Sequence, residues 1–221
     1  ESFAYWAEQL SVSSRLWEAP YLFDHDYLSA VLKEGTGQTG VFGLRLMWES
    51  LSELSTRLGV LYPGRADDHD RFEAAFGPCV YVYLRRKDKV AQAVSRLRAE
   101  QTGLWHIFAD GSERERLTSG NEPEYDRSRL QSIIDELQAH EAAWLNWFVR
   151  HGVSPLRVDY ESLADDPVCV TDAVLAFLGI DGSSAVTPMP VSARLADSES
   201  RRWIERYKSD LGYEAGSVTP N

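Results

Sequence analysis

An α/β domain, with a mostly parallel central sheet flanked by helices, is the architecture to expect from this chain. Three observations lead there. Short apolar or β-branched runs alternate with longer helical patterns, giving strand–helix units over 41–58, 80–103 and 155–178, and such alternation builds parallel sheets covered by helices. The chain has 221 residues, 43% of them hydrophobic, which suits one domain over 1–221 with a real core. The stretch from Tyr81 to Trp105 runs from strand to cationic turn to amphipathic helix, and the rest is arranged around it.

In order, Glu1 to Leu10 reads as the start of a helix or a lead-in loop, with Phe3, Tyr5, Trp6 and Leu10 as apolar markers. Pro20 breaks the chain, and a helix follows to about Leu32 on the apolar face of Leu28, Val31 and Leu32. Gly35 to Gln38 is a turn. Val41 to Trp48 is then a short strand, and the helix from Glu49 carries Leu51, Leu54 and Leu58. Arg45 interrupts that strand; a cation buried in a strand is costly unless paired, so Arg45 is a candidate for ligand contact or a salt bridge. Trp48 could stack on a sugar, with core packing as the plainer role. Leu61 to Asp70 is a polar loop. Its Asp67, Asp68, His69 and Asp70 are adjacent rather than spaced to one side, so they read as a solvated cap to the helix at Phe72 to Phe76 and not as metal ligands.

Gly77 and Pro78 punctuate the chain before the strand Tyr81 to Leu84. Arg85, Arg86 and Lys87 form the turn, Asp88 caps the next helix, and Val90, Ala93, Val94 and Leu97 mark its buried face. His106 beside its aromatic neighbours reads either as structural or as an acceptor contact. Asp110 to Glu122 is a charged loop, a plausible lid. Pro123 to Arg150 is the longest helix, with Leu130, Ile133, Ile134, Leu137, Trp144, Leu145 and Phe148 as its stripe and Gly152 as its stop. Pro155 to Tyr160 is the next strand, YESLADDP a turn, and Val170 to Leu178 a helix. Gly179 to Pro190 is a linker before a last amphipathic helix over Trp203 to Leu211.

A formal net charge of −11 argues against nucleic acid as a general partner, because phosphate backbones need broad cationic surfaces. A cationic cluster inside such an acidic chain points instead to a defined small anion. The two cysteines, Cys79 and Cys169, lie far apart in apolar contexts and read as buried thiols of a reducing compartment. No apolar run is long enough to span a membrane and no signal peptide is visible, which leads to the expectation of a cytoplasmic protein.

The chemistry concentrates at the turn. The first N–H groups of a helix lack internal partners and sit at the positive end of its dipole, and arginine adds a planar fork that matches phosphate oxygens. Arg86 stands at the strand end, and Ser95 lies about two turns into the helix, within reach of a ligand that runs along it. A merely solvated basic helix face, made of Arg85, Arg86, Lys87, Lys89, Arg96 and Arg98, is the competing reading.

DKVAQAVSRLRAEQTGLWH, from Asp88 to His106, resembles the signature of the Stf0 family of bacterial sulfotransferases. GVFGLRLMW at Gly40 to Trp48 and ARLADSESRRWIERYKSDL from Ala193 are similar to two further segments of that family, so the resemblance covers essentially the whole chain. It implies a sulfotransferase, P-loop NTPase-like fold and a sulfuryl donor, 3′-phosphoadenosine-5′-phosphosulfate (PAPS), leaving as the 3′,5′-bisphosphate PAP, with no metal. Trehalose is the family's best-known acceptor, so a glycoside or other small hydroxylated acceptor and a homodimer are expected. By resemblance Arg86, Ser95 and Arg194 hold the donor and Glu1, in Glu1-Ser2-Phe3, is the general base; Arg45, where the family has Lys, contacts the transferring sulfuryl group or the acceptor, and Trp48 and His106 remain candidate acceptor contacts from their residue type. The family's S-x-P-R-S-G-S-T donor loop and its strand are absent from these residues, so the expectation is that an upstream segment carries them. A non-catalytic nucleotide-binding or scaffolding protein is the alternative. A P-loop kinase-like phosphotransferase ranks last, since no GK[ST] loop is present.

Overall fold

The structure is a computed structural model that describes residues 23–107, 112–116, 120–180 and 197–217. The chain divides into two compact units, residues 1–80 and 81–221.

In the first unit, α1 (His25–Thr36) begins at Asp24, whose Oδ1 accepts the N–H of Tyr27 at 2.8 Å. It ends at Gly37, where φ is +50°, a region that glycine enters without a Cβ penalty. Residues 41–47 are irregular and not the expected strand. Apolar alternation sets the faces of a strand, but the ladder needs a partner, and none pairs here among the described residues. Arg45 is exposed on this segment, so the expected cost of burying its charge does not arise. What holds the segment is Phe42, which stacks on Phe76 at 5.8 Å and lies so close over Gly35 that a Cβ there would meet the ring at 2.6 Å. Trp48 opens α2 (Trp48–Leu61), which packs on α3 (Asp68–Phe76) through Leu51, Leu58, Phe72 and Ala75. The acidic run is a cap, as expected: Asp67 accepts the N–H of Asp70 at 3.0 Å, and Asp68 takes the Ser55 hydroxyl and faces Arg71.

The second unit is built on α4 (Lys89–Thr102), which follows β1 (Val82–Arg85). Asp88 caps α4 by accepting the Ala91 N–H at 2.8 Å, and Gly103 closes it at φ +71°. The buried face is the one the spacing marks: Ala93, Val94 and Leu97 pack against Leu130, Ile133 and Ile134 of α5 (Arg127–Arg150) and against Trp203 and Tyr207 of α8 (Ser198–Ser217). A second aromatic cluster joins β1 to the far half of α5, with Tyr83 against Phe148 at 5.4 Å and Tyr81 against Trp147 at 5.5 Å.

β1 pairs in parallel with β4 (Leu156–Asp159), Val82 opposite Leu156 and Arg85 opposite Asp159. This small parallel sheet among helices is compatible with the expected α/β class. Two expectations need correction. Trp105 and His106 lie in β2 (Leu104–Ile107), which pairs antiparallel with β3 (Glu113–Arg116), inside what read as a loop. YESLADDP is not a plain turn, because α6 (Tyr160–Asp165) fills it before Asp166 and Pro167 start α7 (Pro167–Phe177). The thiols also differ from expectation: Cys79 is half-buried and Cys169 exposed.

Candidate functional site

Parallel pairing of β1 with β4 sets the geometry of the cationic turn. With Arg85 opposite Asp159, the tripeptide Arg85-Arg86-Lys87 leaves the sheet beside Asp159-Tyr160-Glu161. Each member of the second run engages the first. Asp159 takes Arg85 Nε at 2.7 Å on one oxygen and Lys87 Nζ at 2.7 Å on the other. The Tyr160 ring lies under the Arg86 guanidinium, 4.6 Å from its centroid. The Glu161 carboxylate accepts the backbone N–H of Lys87 at 3.1 Å and of Asp88 at 3.2 Å.

These contacts sort the three cations. Arg85 and Lys87 share Asp159 as their ion-pair partner, and Arg85 also faces Glu141 at 3.7 Å. The hydrogen bonds from Lys87 and then Arg85 outweigh burial and hold the Asp159 carboxyl below its ordinary range. Arg86 makes no ion pair among the described residues, and its Nε is buried without a hydrogen-bond partner there. Its carbonyl accepts Lys89 Nζ at 2.6 Å, and Lys89 is in turn paired with Glu141 at 2.9 Å. The peptide that follows Arg86 is therefore held at both its carbonyl and its N–H, while the charge is left for something else.

Glu161 changes one expectation. The N–H groups of Lys87 and Asp88, which the strand–turn–helix pattern offered to an anion, already hold the protein's own carboxylate. Burial pushes the Glu161 carboxyl up, but its own N–H, those of Lys87 and Asp88, and the Arg86 charge together hold it below its usual value. Any external anion here relies on side chains more than on those two amides.

Ser95 is half-buried on the same strand–helix unit as Arg86. Arg45 and Trp48 belong to the first unit, where Arg45 is exposed and Trp48 half-buried. His106 takes its place in β2 by its backbone. Glu1 and Arg194 lie outside the described residues. Sequence reading missed Asp159, Tyr160 and Glu161 as parts of the site. The signal was present in the complementary runs RRK and DYE, each starting on the last residue of a strand, but only a parallel register sets them side by side.

A polar cleft of about 460 Å³ lies near the opposite end of α4. Its lining includes Gln101, Tyr125, Arg206 and Asp210. There the Tyr125 hydroxyl donates to Asp210 at 2.7 Å, and burial together with that bond pushes its pKa up to about 12. Gln101 stands roughly 18 Å along the helix from the turn, so this cleft is not the surroundings of Arg86.

Comparison with known proteins converges on one family. The family model described as Stf0 sulphotransferase matches residues 1–210. A trehalose 2-sulfotransferase of Mycolicibacterium smegmatis is 35% identical over 196 residues, which is 87% of this chain and 68% of that protein. A trehalose 2-sulfotransferase of Mycobacterium tuberculosis is 30% identical over 183 residues, 81% of this chain and 65% of its own length. The chain thus spans about two thirds of the curated relatives it matches. A family match over nearly the whole sequence, joined to relatives at 30–35% identity, settles the classification: this chain belongs to the Stf0 sulphotransferase family.

Proposed function

We propose that the chain is a sulfotransferase that moves a sulfuryl group from PAPS to a hydroxyl of a carbohydrate, with trehalose the first acceptor to assay because two relatives carry that name. The observation that carries the reading is the sorting of the turn: Asp159 satisfies Arg85 and Lys87, and Arg86 between them keeps a buried, unpartnered Nε. That suits the 3′-phosphate of the donor, since a guanidinium edge can take two phosphate oxygens at once. Ser95 adds a hydroxyl further along α4, and Arg194 a second cation.

In this reading Glu1 accepts the proton of the acceptor hydroxyl as its oxygen bonds to sulfur, and the S–O bond to the nucleotide breaks to release PAP. Arg86 and Ser95 make no bond to the reacting atoms. They fix the nucleotide so that attacking and leaving oxygens stand in line across the sulfur. Arg45, Trp48 and His106 face the acceptor. The protein works as one domain and as a homodimer in the cytoplasm; no helix among the described residues is long and apolar enough to cross a membrane.

The test is sulfate transfer by the full native polypeptide from labelled PAPS to trehalose and a panel of glycosides. Arg86→Ala is expected to weaken donor binding by about tenfold or more, the loss typical of a charge-assisted pair. Glu1→Gln is expected to lower kcat by about 100-fold with donor affinity kept. Unchanged PAPS affinity in Arg86→Ala removes the donor-site assignment, and full turnover in Glu1→Gln hands the base role to another group.

A further inference from the structure

Building on that reading, we propose that Tyr160 and Glu161 are positioning residues that hold the Arg86 guanidinium edge-on to the 3′-phosphate of a nucleotide and so set the preference for 3′-phosphorylated ligands. A free arginine side chain samples many rotamers, and a phosphate that binds it must first stop that motion. Here two neighbours on α6 do it in advance. The Arg86 Cζ lies over the Tyr160 ring, 4.6 Å from its centroid. A cation–π contact uses the face of the group, while all five N–H donors lie in its plane, so the ring restrains the fork without occupying the edges that phosphate needs.

Glu161 restrains the backbone beyond Arg86 by taking the N–H groups of Lys87 and Asp88. Lys89 Nζ holds the carbonyl of that same peptide, the Arg86 C=O. Glu161 stays outside ion-pair distance of Arg86 among the described residues, so the fork is placed near a carboxylate without being neutralised by it. Asp159, immediately before Tyr160, engages the two flanking cations. The tripeptide Asp159-Tyr160-Glu161 thereby selects one cation of three, orients it, and leaves its in-plane donors for a dianion.

The experiment measures binding of PAP and of 5′-AMP, which lacks the 3′-phosphate, to the full native polypeptide by calorimetry. Arg86→Ala calibrates it. Tyr160→Leu keeps apolar bulk but lacks the aromatic face, and is expected to lower PAP affinity roughly tenfold with 5′-AMP affinity unchanged. Tyr160→Phe keeps the face and is expected to bind PAP within about twofold of the native protein. Glu161→Ala is expected to lower the PAP preference as well. The bracing proposal is overturned when Tyr160→Leu weakens both ligands in parallel, which is what general loss of structure would do, or when Tyr160→Leu and Glu161→Ala both keep the native preference. An Arg86→Ala protein that still prefers PAP over 5′-AMP overturns the donor-site reading itself, which keeps the two failures apart.

Discussion

Arg86 and Lys87 are neighbours with the same formal charge, yet their surroundings assign them different work. Lys87 ends on Asp159 at 2.7 Å with 58% of its side chain exposed, an ordinary surface pair. Arg86 sits over an aromatic ring with its Nε buried. Lys87→Ala is therefore expected to change PAPS KM by less than about threefold, the range of an exposed ion pair. Arg86→Lys keeps the charge but loses the planar fork, and is expected to raise that KM by about tenfold. Steady-state kinetics with varied donor checks both, and a larger effect at Lys87 than at Arg86 would reverse the assignment. The letters RRK alone did not rank these residues. Local pattern showed a cationic turn before a helix; the ranking came from Asp159, 74 residues after Arg85 along the chain, which no local window contains.

Helices announced themselves better than strands, for a physical reason. Asp24, Asp67 and Asp88 each cap a helix through a bond to the third residue onward, a contact written within four consecutive letters. A strand is completed by a partner elsewhere, so Val41 to Trp48 looked like one and is not, while Leu104–Ile107 pairs with Glu113–Arg116, which lies inside the stretch that read as loop. The last helix shows what a cap does when it is also an ion pair. Asp197 accepts the Ser200 N–H at 2.8 Å and binds Arg98 of α4 at 2.6 and 2.9 Å, joining the start of α8 to the central helix. The Arg98 bond, against an opposing push from burial, brings the Asp197 pKa down to about 2. A carboxyl depressed from an unfolded value near 4 stabilises the fold fully above about pH 4, and that contribution fades as pH falls toward 2. Half of its side chain is exposed (52%), so solvent screening limits the effect to about 1 kcal/mol. Asp197→Asn is expected to lower stability by that amount at pH 7 and to flatten the acid limb between pH 4 and 2. Equal pH dependence in the two proteins would show that the pair contributes nothing.

Across the larger unit, the acidic chain keeps its cationic turn and its core at different places on one helix. The first residues of α4 and the turn before it carry the charge, and Ala93, Val94 and Leu97 carry the packing. The 3.6-residue period made that buried face legible, along with Leu130, Ile133 and Ile134 on the facing helix, because amphipathic spacing is written into contiguous sequence. Which aromatics would be core was not legible. Aromatic side chains serve as core and as stacking platforms alike; Trp147 and Trp203 are buried in packing contacts, and only a third dimension separates a platform from a filled interior. The separation of core from site gives a prediction for the whole molecule. Leu130 is fully buried among Val94, Ile133, Trp203 and Tyr207, so Leu130→Ala leaves a cavity that this rigid surround closes only in part. It is expected to cost about 2–5 kcal/mol in urea unfolding. Because the turn draws its order from β1, β4 and α6 and not from this cluster, PAP affinity at low temperature, with the protein still folded, is expected to stay within about twofold of native. A stability loss below about 1 kcal/mol would show that the cluster is not the core, and a matching loss of PAP affinity in the folded variant would show that core packing sets the geometry of Arg86.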